Sequence, residues 1–343
     1  MDSRKAICDP AALAAIKGAN PDSATLVVRR HPMRIPGHFA ALIRTHDDPL
    51  GLQAVPSISE LLCDGEDDPL CEEAQSPVPN LVHRYPDRVL FLVENRCALY
   101  CRHCMRKRRT GATGPVAPVI LDRGIGYIKE NPAVREVVLS GGDPLMMDRD
   151  SLLGLLGELR KIPHLKALRI HTRVPGADPA RVTEKLVSGL GRFSPLFVNI
   201  QFNHPAELTD EAREATRRLA RAGIQLGSQS VLLRGVNDDS ETLASLFTGL
   251  LGMGIRPYCL HHPDPVAGTG HFSVPLSRGL ELAASLRGRI SGMAVPHYML
   301  DLPGGFGKTA LLPGSVEILG NGSYRIRCFQ GIWRDYRDRV SPA

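Results

Sequence analysis

Six short apolar runs, rich in β-branched residues, recur along the middle of this chain. They are "RVLFLVEN" (88–95), "REVVLSGG" (135–142), "KALRIHTR" (166–173), "LFVNIQFN" (196–203), "IQLGSQSVLL" (224–233) and "RPYCLHH" (256–262). Amphipathic stretches such as "SLLGLLGELRKI", "ELTDEAREATRRLARAG" and "SETLASLFTGLLGMG" lie between them. Alternation of this kind predicts parallel strands joined by helical crossovers, an α/β chain. The runs are nearly continuous in apolar character, as expected of strands covered on both faces. Six such units predict a β/α barrel, complete or partial. Barrels of this type carry their chemistry at the C-terminal ends of the strands. Polar residues gather there: Cys97, Asp143, Arg173, His204, Gln229 and Asp264.

The flanks differ. Residues 1–84 read as a helical and irregular N-terminal extension, in which "DDPLGLQAVPS" and "EDDPLCEEAQSPVPN" are turns and extended linkers. Residues 85–290 form the predicted barrel core. Within 291–343, "AVPHYMLDLPGGFGKT" predicts a strand running into a Gly-rich loop. "SVEILGNGSYRIRCF" predicts a hairpin with an Asn-Gly turn.

Composition narrows the function. A net charge of +6 on 343 residues, with 5% aromatics, suits anionic small molecules better than nucleic acid. The run Arg106-Lys107-Arg108-Arg109 is the one dense basic patch. No stretch has the apolar length of a signal peptide or a membrane span. A cytoplasmic location is the expectation. There the 8 cysteines are thiols or metal ligands rather than a disulfide framework.

Cys97, Cys101 and Cys104 are spaced C-x3-C-x2-C. Zinc usually takes four ligands. Three thiolates on one loop suit a [4Fe–4S] cluster with one iron left open, and a zinc site completed by a distant His or Cys is the alternative. In "LSGGDPL", the pair Gly141-Gly142 would let backbone approach a ligand closely beside Ser140 and Asp143, although alone such a motif is an ordinary turn. Lys308, in "PGGFGKT", can form a Schiff base with an aldehyde cofactor whose phosphate the glycines would admit. A nucleotide-phosphate lysine is the alternative, but the full P-loop spacing is missing.

Taken together, "VENRCALYCRHC" and "LSGGDPL" resemble the radical S-adenosylmethionine superfamily. More narrowly, residues 44–333 resemble the lysine 2,3-aminomutase family. The likeness is carried by "SPVPNLVHRYPDRVL", "CRHCMRKRR", "SGGDPL", "FNHPAELT", "SQSVLLRGVND", "GHFSVPLSRG", "LRGRISGMAVP" and "DLPGGFGKT". The resemblance implies a radical-SAM partial barrel with an N-terminal helical extension. A small C-terminal β extension would carry the lysine of pyridoxal phosphate. It implies a [4Fe–4S] cluster on Cys97, Cys101 and Cys104. It implies S-adenosylmethionine bound at Ser140, Gly141, Gly142, Asp143 and Gln229, with Gln201 and His204 nearby; Gln201 stands where a histidine is typical. Pyridoxal phosphate would sit on Lys308, with Arg84 and Arg88 near its phosphate. Arg106 would hold the substrate α-carboxylate, and Asp264 and Asp301 a distal ammonium.

The implied reaction moves an α-amino group to the β-carbon, with L-lysine giving L-β-lysine. Two carboxylates around one substrate terminus favour a cation over glutamate. Arginine is the alternative substrate, and modification of a lysine for elongation factor P the next. A non-catalytic iron–sulfur or zinc protein that binds a partner through its basic run is the reading from another class. The family also implies an electron donor such as flavodoxin or ferredoxin, and a homo-oligomer. A family cysteine that follows "GVND" is replaced by Asp239, and "YRDRVSPA" holds no cysteines, so no C-terminal structural zinc site is expected.

Overall fold

The computed structural model describes residues 5–62, 65–111 and 114–339. One sheet of nine strands runs in chain order: β1 Leu81–Tyr85, β2 Arg88–Glu94, β3 Glu136–Gly141, β4 Ala167–Thr172, β5 Leu196–Gln201, β6 Gln225–Val231, β7 Arg256–His261, β8 His297–Leu302 and β9 Gly307–Ala310. Strands β2 to β8 are parallel, and β1 and β9 add antiparallel edges. A separate three-stranded antiparallel sheet follows: β10 Val316–Gly320, β11 Ser323–Arg327 and β12 Trp333–Arg337. The architecture is the expected α/β barrel type, with a small C-terminal sheet.

All six predicted strands are present. A seventh parallel strand, β8, comes from "HYMLDL". Lys308 lies on β9, at the edge of the main sheet, rather than on the small C-terminal sheet. The edge strands β1 and β9 do not pair. The sheet nevertheless curls until its ends meet, for the N–H of Lys308 donates to the Tyr85 hydroxyl at 2.7 Å.

Alternation within β4 and β6 is stronger than their apolar runs suggest. In β4, Leu168 and Ile170 are wholly buried, while Arg169 and His171 between them are part-exposed on the opposite face. Side chains alternate across a strand. Strand β4 therefore buries one face and turns a polar one the other way, whereas β2 and β3 are buried on both faces over residues 91–93 and 137–139, as their continuous apolar runs predict. The helices supply the complementary stripe. In Arg149–Arg160, Leu152, Leu155, Leu156 and Leu159 follow helical spacing, and Asp148 caps the N-terminus by accepting from the N–H groups of Asp150 and Ser151. Helix Pro118–Glu130 approaches β2 closely: a Cβ on Gly124 would lie 2.3 Å from the Phe91 ring. Among the described residues, no helix is long and apolar enough to cross a membrane.

Candidate active site

The cysteine loop begins where β2 ends. Glu94 turns the chain by accepting from the N–H groups of Asn95 and Arg96, at 2.9 and 3.1 Å. The tip of β3 crosses directly over this turn. A Cβ on Gly141, whose φ is +131°, would lie 2.2 Å from the Glu94 carbonyl oxygen, and one on Gly142 2.3 Å from that of Arg96. The close approach that these glycines permit is therefore to the chain itself. Asp143 is buried and accepts from the Thr172 hydroxyl at 2.8 and 2.9 Å, from Arg173 N–H at 2.7 Å and from Leu145 N–H at 3.0 Å. Burial nevertheless keeps its carboxyl above the usual range. Asp143 thus ties the ends of β3 and β4 together beside buried Ser140.

The three thiols lie in the next turn of chain. Arg173 places Nη1 2.7 Å from Cys101 Sγ, and its Nη2 is held by Gln53 at 2.6 Å and Glu207 at 3.2 Å. Cys104 Sγ lies 3.5 Å from the Thr110 hydroxyl. Burial, followed by the negative charge of Asp143 and the neighbouring thiols, pushes Cys97 well up. Burial also raises Cys101, against the pull of Arg173. Among the described residues, no three His, Cys, Asp or Glu side chains gather around a single-ion centre. Three half-buried soft donors have a single guanidinium between them. That donor set fits an iron–sulfur cluster, in which each thiolate takes its own iron. His103 sits inside the motif, and its Nε2 is 3.2 Å from the side-chain amides of both Gln201 and Asn203. Gln201 therefore braces the cysteine loop.

The second centre lies across the sheet. Asp301 and Lys308 are register partners on β8 and β9, with Nζ 2.5 Å from Oδ2. His261 Nδ1 is 3.3 Å from the same ammonium. Burial would lower Lys308, but Asp301 outweighs it and holds the lysine above its ordinary value. Burial would likewise raise Asp301, and Lys308 instead brings it down. Asp264 differs. Burial and repulsion from Asp301 raise it to about 7, and its buried Oδ1 has no hydrogen-bond partner among the described residues.

Arg84 Nη1 is 4.0 Å from Asp301, and its Nε donates to Gln75 at 2.6 Å. The Arg88 guanidinium stacks 4.2 Å from the Tyr85 ring centre, and the Tyr85 hydroxyl holds the Lys308 backbone. The structure therefore brings Arg84, Arg88 and Lys308 to one seam. Gly304, Gly305 and Gly307 turn the loop there at φ near +80°, which L side chains rarely adopt. A lysine with two nearby arginines fits an anionic aldehyde cofactor.

Between the two centres runs the segment 65–76, expected as a linker. It is a strap. Glu66 bridges Val266, Pro69 O accepts from Gly304 N, and the Gln75 amide donates to Gly305 O. Glu72 takes Arg106 in a side-on pair: Nε at 2.9 and 3.1 Å, and Nη2 at 2.6 Å. Arg108 pairs with Asp68 and Glu73, Lys107 with Glu60, and Arg109 with Asn80. The basic run is thus spent on internal contacts.

Two further residues lie in unexpected places. Gln229 is within β6, in register with Gln201 and Cys259, not beyond the strand end. His204 caps the short turn Pro205–Glu207, its Nδ1 accepting from Ala206 N–H at 3.1 Å. The residues that sequence reasoning missed are Glu72, His261 and Tyr85. Arg173 was visible only as a polar strand end. Each acquires its part from a partner distant in sequence.

Two family models match the chain: the radical SAM superfamily over residues 92–247 and lysine-2,3-aminomutase over residues 283–340. L-lysine 2,3-aminomutase of Clostridium subterminale is 41% identical over 314 residues, covering 90% of this chain and 76% of that protein. L-lysine 2,3-aminomutase of Acetoanaerobium sticklandii is 43% identical over 309 residues, covering 89% and 75%. Glutamate 2,3-aminomutase of Clostridioides difficile is 39% identical over 298 residues, covering 86% and 71%. Similarity of this depth over most of both chains, joined to a thiol triplet after the first parallel strand and a lysine at the seam, makes the chain a member of the lysine 2,3-aminomutase family within the radical SAM superfamily.

Proposed function

We propose that this aminomutase acts on a cationic α-amino acid, with L-lysine first and arginine second, and moves its amino group from the α- to the β-carbon. One observation carries the choice. Asp264 and Asp301 bring two carboxyl groups to the seam, where Lys308 pairs with Asp301 and the buried Oδ1 of Asp264 has no partner among the described residues. A substrate that engages Lys308 chemically takes that ammonium from Asp301, and Asp264 has no cation of its own. A side-chain ammonium or guanidinium supplies it, whereas the second carboxylate of glutamate would be repelled. Relatives of similar identity include both lysine and glutamate enzymes, so this local charge is the discriminating feature.

Cys97, Cys101 and Cys104 would hold the cluster. Ser140 to Asp143, with Gln229, would flank the S-adenosylmethionine site, and Lys308, Arg84 and Arg88 the pyridoxal phosphate. When bound, these groups supply a radical initiator and a carrier for the migrating nitrogen. The chain's own residues do the rest. Arg106 binds the α-carboxylate through a planar guanidinium. Asp264 and Asp301 fix the far end, and the strap excludes water. An external one-electron donor such as flavodoxin or ferredoxin completes the turnover.

The test is anaerobic turnover of lysine, arginine and glutamate with product analysis, together with borohydride reduction and peptide mapping. Wild type should label at Lys308 and prefer a cation. Lys308→Ala should lose the label and turnover. Preference for glutamate, or label on another peptide, would overturn the reading.

A further inference from the structure

Arg106 is the residue proposed to grip the substrate carboxylate, yet a carboxylate already lies against it. Glu72 occupies the Nε edge and one proton of Nη2. Nη1 makes no hydrogen bond among the described residues, so the far edge of the fork remains for a second carboxylate. Glu72 is not placed to leave. It is buried, Arg108 stands 4.0 Å from its other oxygen, and the strap is fastened on both sides by Gly304, Gly305 and Val266. Withdrawing it would leave the Arg106 guanidinium without its counter-ion. A free arginine samples many rotamers, and a side-on carboxylate fixes the plane and direction of the group.

We propose that Glu72 is a positioning residue: it holds Arg106 by the Nε edge so that only the Nη1 edge is presented to the substrate α-carboxylate. The inference rests on the role given to Arg106 above, but not on which amino acid is the substrate. The strap then does more than cover the mouth of the barrel. It sets the register of the amino acid between Arg106 at one end and the Asp264–Asp301 pair at the other.

The experiment compares equilibrium binding of three amino acids with that of their α-decarboxylated amines on the cofactor-loaded enzyme. The pairs are lysine and cadaverine, arginine and agmatine, and glutamate and γ-aminobutyrate. Whichever amino acid wild type binds best is the one read, so failure of the cationic reading does not remove the test. Glu72→Gln should weaken that amino acid by about tenfold or more, the scale of removing one charge-assisted hydrogen bond from a buried site. It should leave the matching amine within about twofold. KM should rise with little change in kcat. Arg106→Lys should produce the same pattern, and the double variant should be no worse than Arg106→Lys alone.

Three outcomes would overturn the proposal. Tighter binding of the amino acid by Glu72→Gln would make Glu72 a competitor that the substrate must displace. Equal loss of the amino acid and its amine would make it a support for the strap alone. Additive losses in the double variant would uncouple it from Arg106.

Discussion

Two clusters of buried charge lie within this molecule, and they are built in opposite ways. In the first, Glu60 faces two cations. Arg102 Nε donates to it at 2.9 Å, Arg102 Nη2 reaches its other oxygen, and Lys107 Nζ lies 2.6 Å away. Further donors of that cluster meet carbonyls: Pro32 and His31 accept from Arg102, while Arg102 O and Gly268 O accept from Lys107. In the second cluster Lys308 pairs with Asp301, which Arg84 also approaches to 4.0 Å, while one oxygen of Asp264 has no partner among the described residues. The first cluster carries two cations for one carboxylate. Only at the second does the open hydrogen-bonding capacity of a carboxyl lie beside an amine. Burial of charge is therefore no mark of a reactive place by itself; unsatisfied capacity beside a nucleophilic amine is.

The sharpest way to break this contrast is to empty the first cluster. Glu60→Ala leaves Arg102 and Lys107 buried without a counter-ion, and should cost about 3–5 kcal/mol of stability, read by denaturant unfolding. A loss no larger than that of a surface variant would put the two clusters in one class. Asp264→Asn should do the reverse. It removes a repelled, unpaired charge and should leave stability within about 1 kcal/mol, while binding of a cationic substrate weakens by about 2 kcal/mol.

The pH dependence sharpens the same point. Asp264 is raised to about 7, above its unfolded value. Its contribution to stability is therefore complete below the ordinary carboxylate pKa and is lost as pH rises through about 7. The ligand-free protein should lose melting temperature across that window, and Asp264→Asn should flatten the loss. A rising curve attributable to Asp264 would contradict the assignment. The smallest effect is expected at Glu73, the exposed neighbour of Glu72 that pairs with Arg108 at 3.2 Å. Glu73→Gln should change stability by less than about 0.5 kcal/mol and leave the KM of the amino acid unaltered.

Local pattern carried much of this protein. The apolar runs specified β2 to β7 because strand residues are chosen for burial over a few neighbouring positions, and that choice survives in any window of the chain. The spacing of Cys97, Cys101 and Cys104 placed a ligand loop after the first parallel strand, since three donors so close in sequence are close in space whatever the rest does. Lys308 in its Gly-rich turn was visible for the same reason. Other features were hidden. Strand β12, "WRDYR", is largely polar and part-exposed, so its alternation had no apolar face to show. The strap read as a linker because its partners, Arg106, Gly304, Gly305 and Val266, follow no local period.

The chain order of residues therefore determined the elements, their parallel succession and the two reactive motifs, since each depends only on neighbours a few positions away. Tertiary structure alone decided that Glu72 meets Arg106 across 34 positions, that Arg173 reaches Cys101 across 72, and that Tyr85 closes on Lys308 across 223. Charges so far apart in the chain choose partners only after the sheet has curled, because which groups lose water together is a property of the closed barrel.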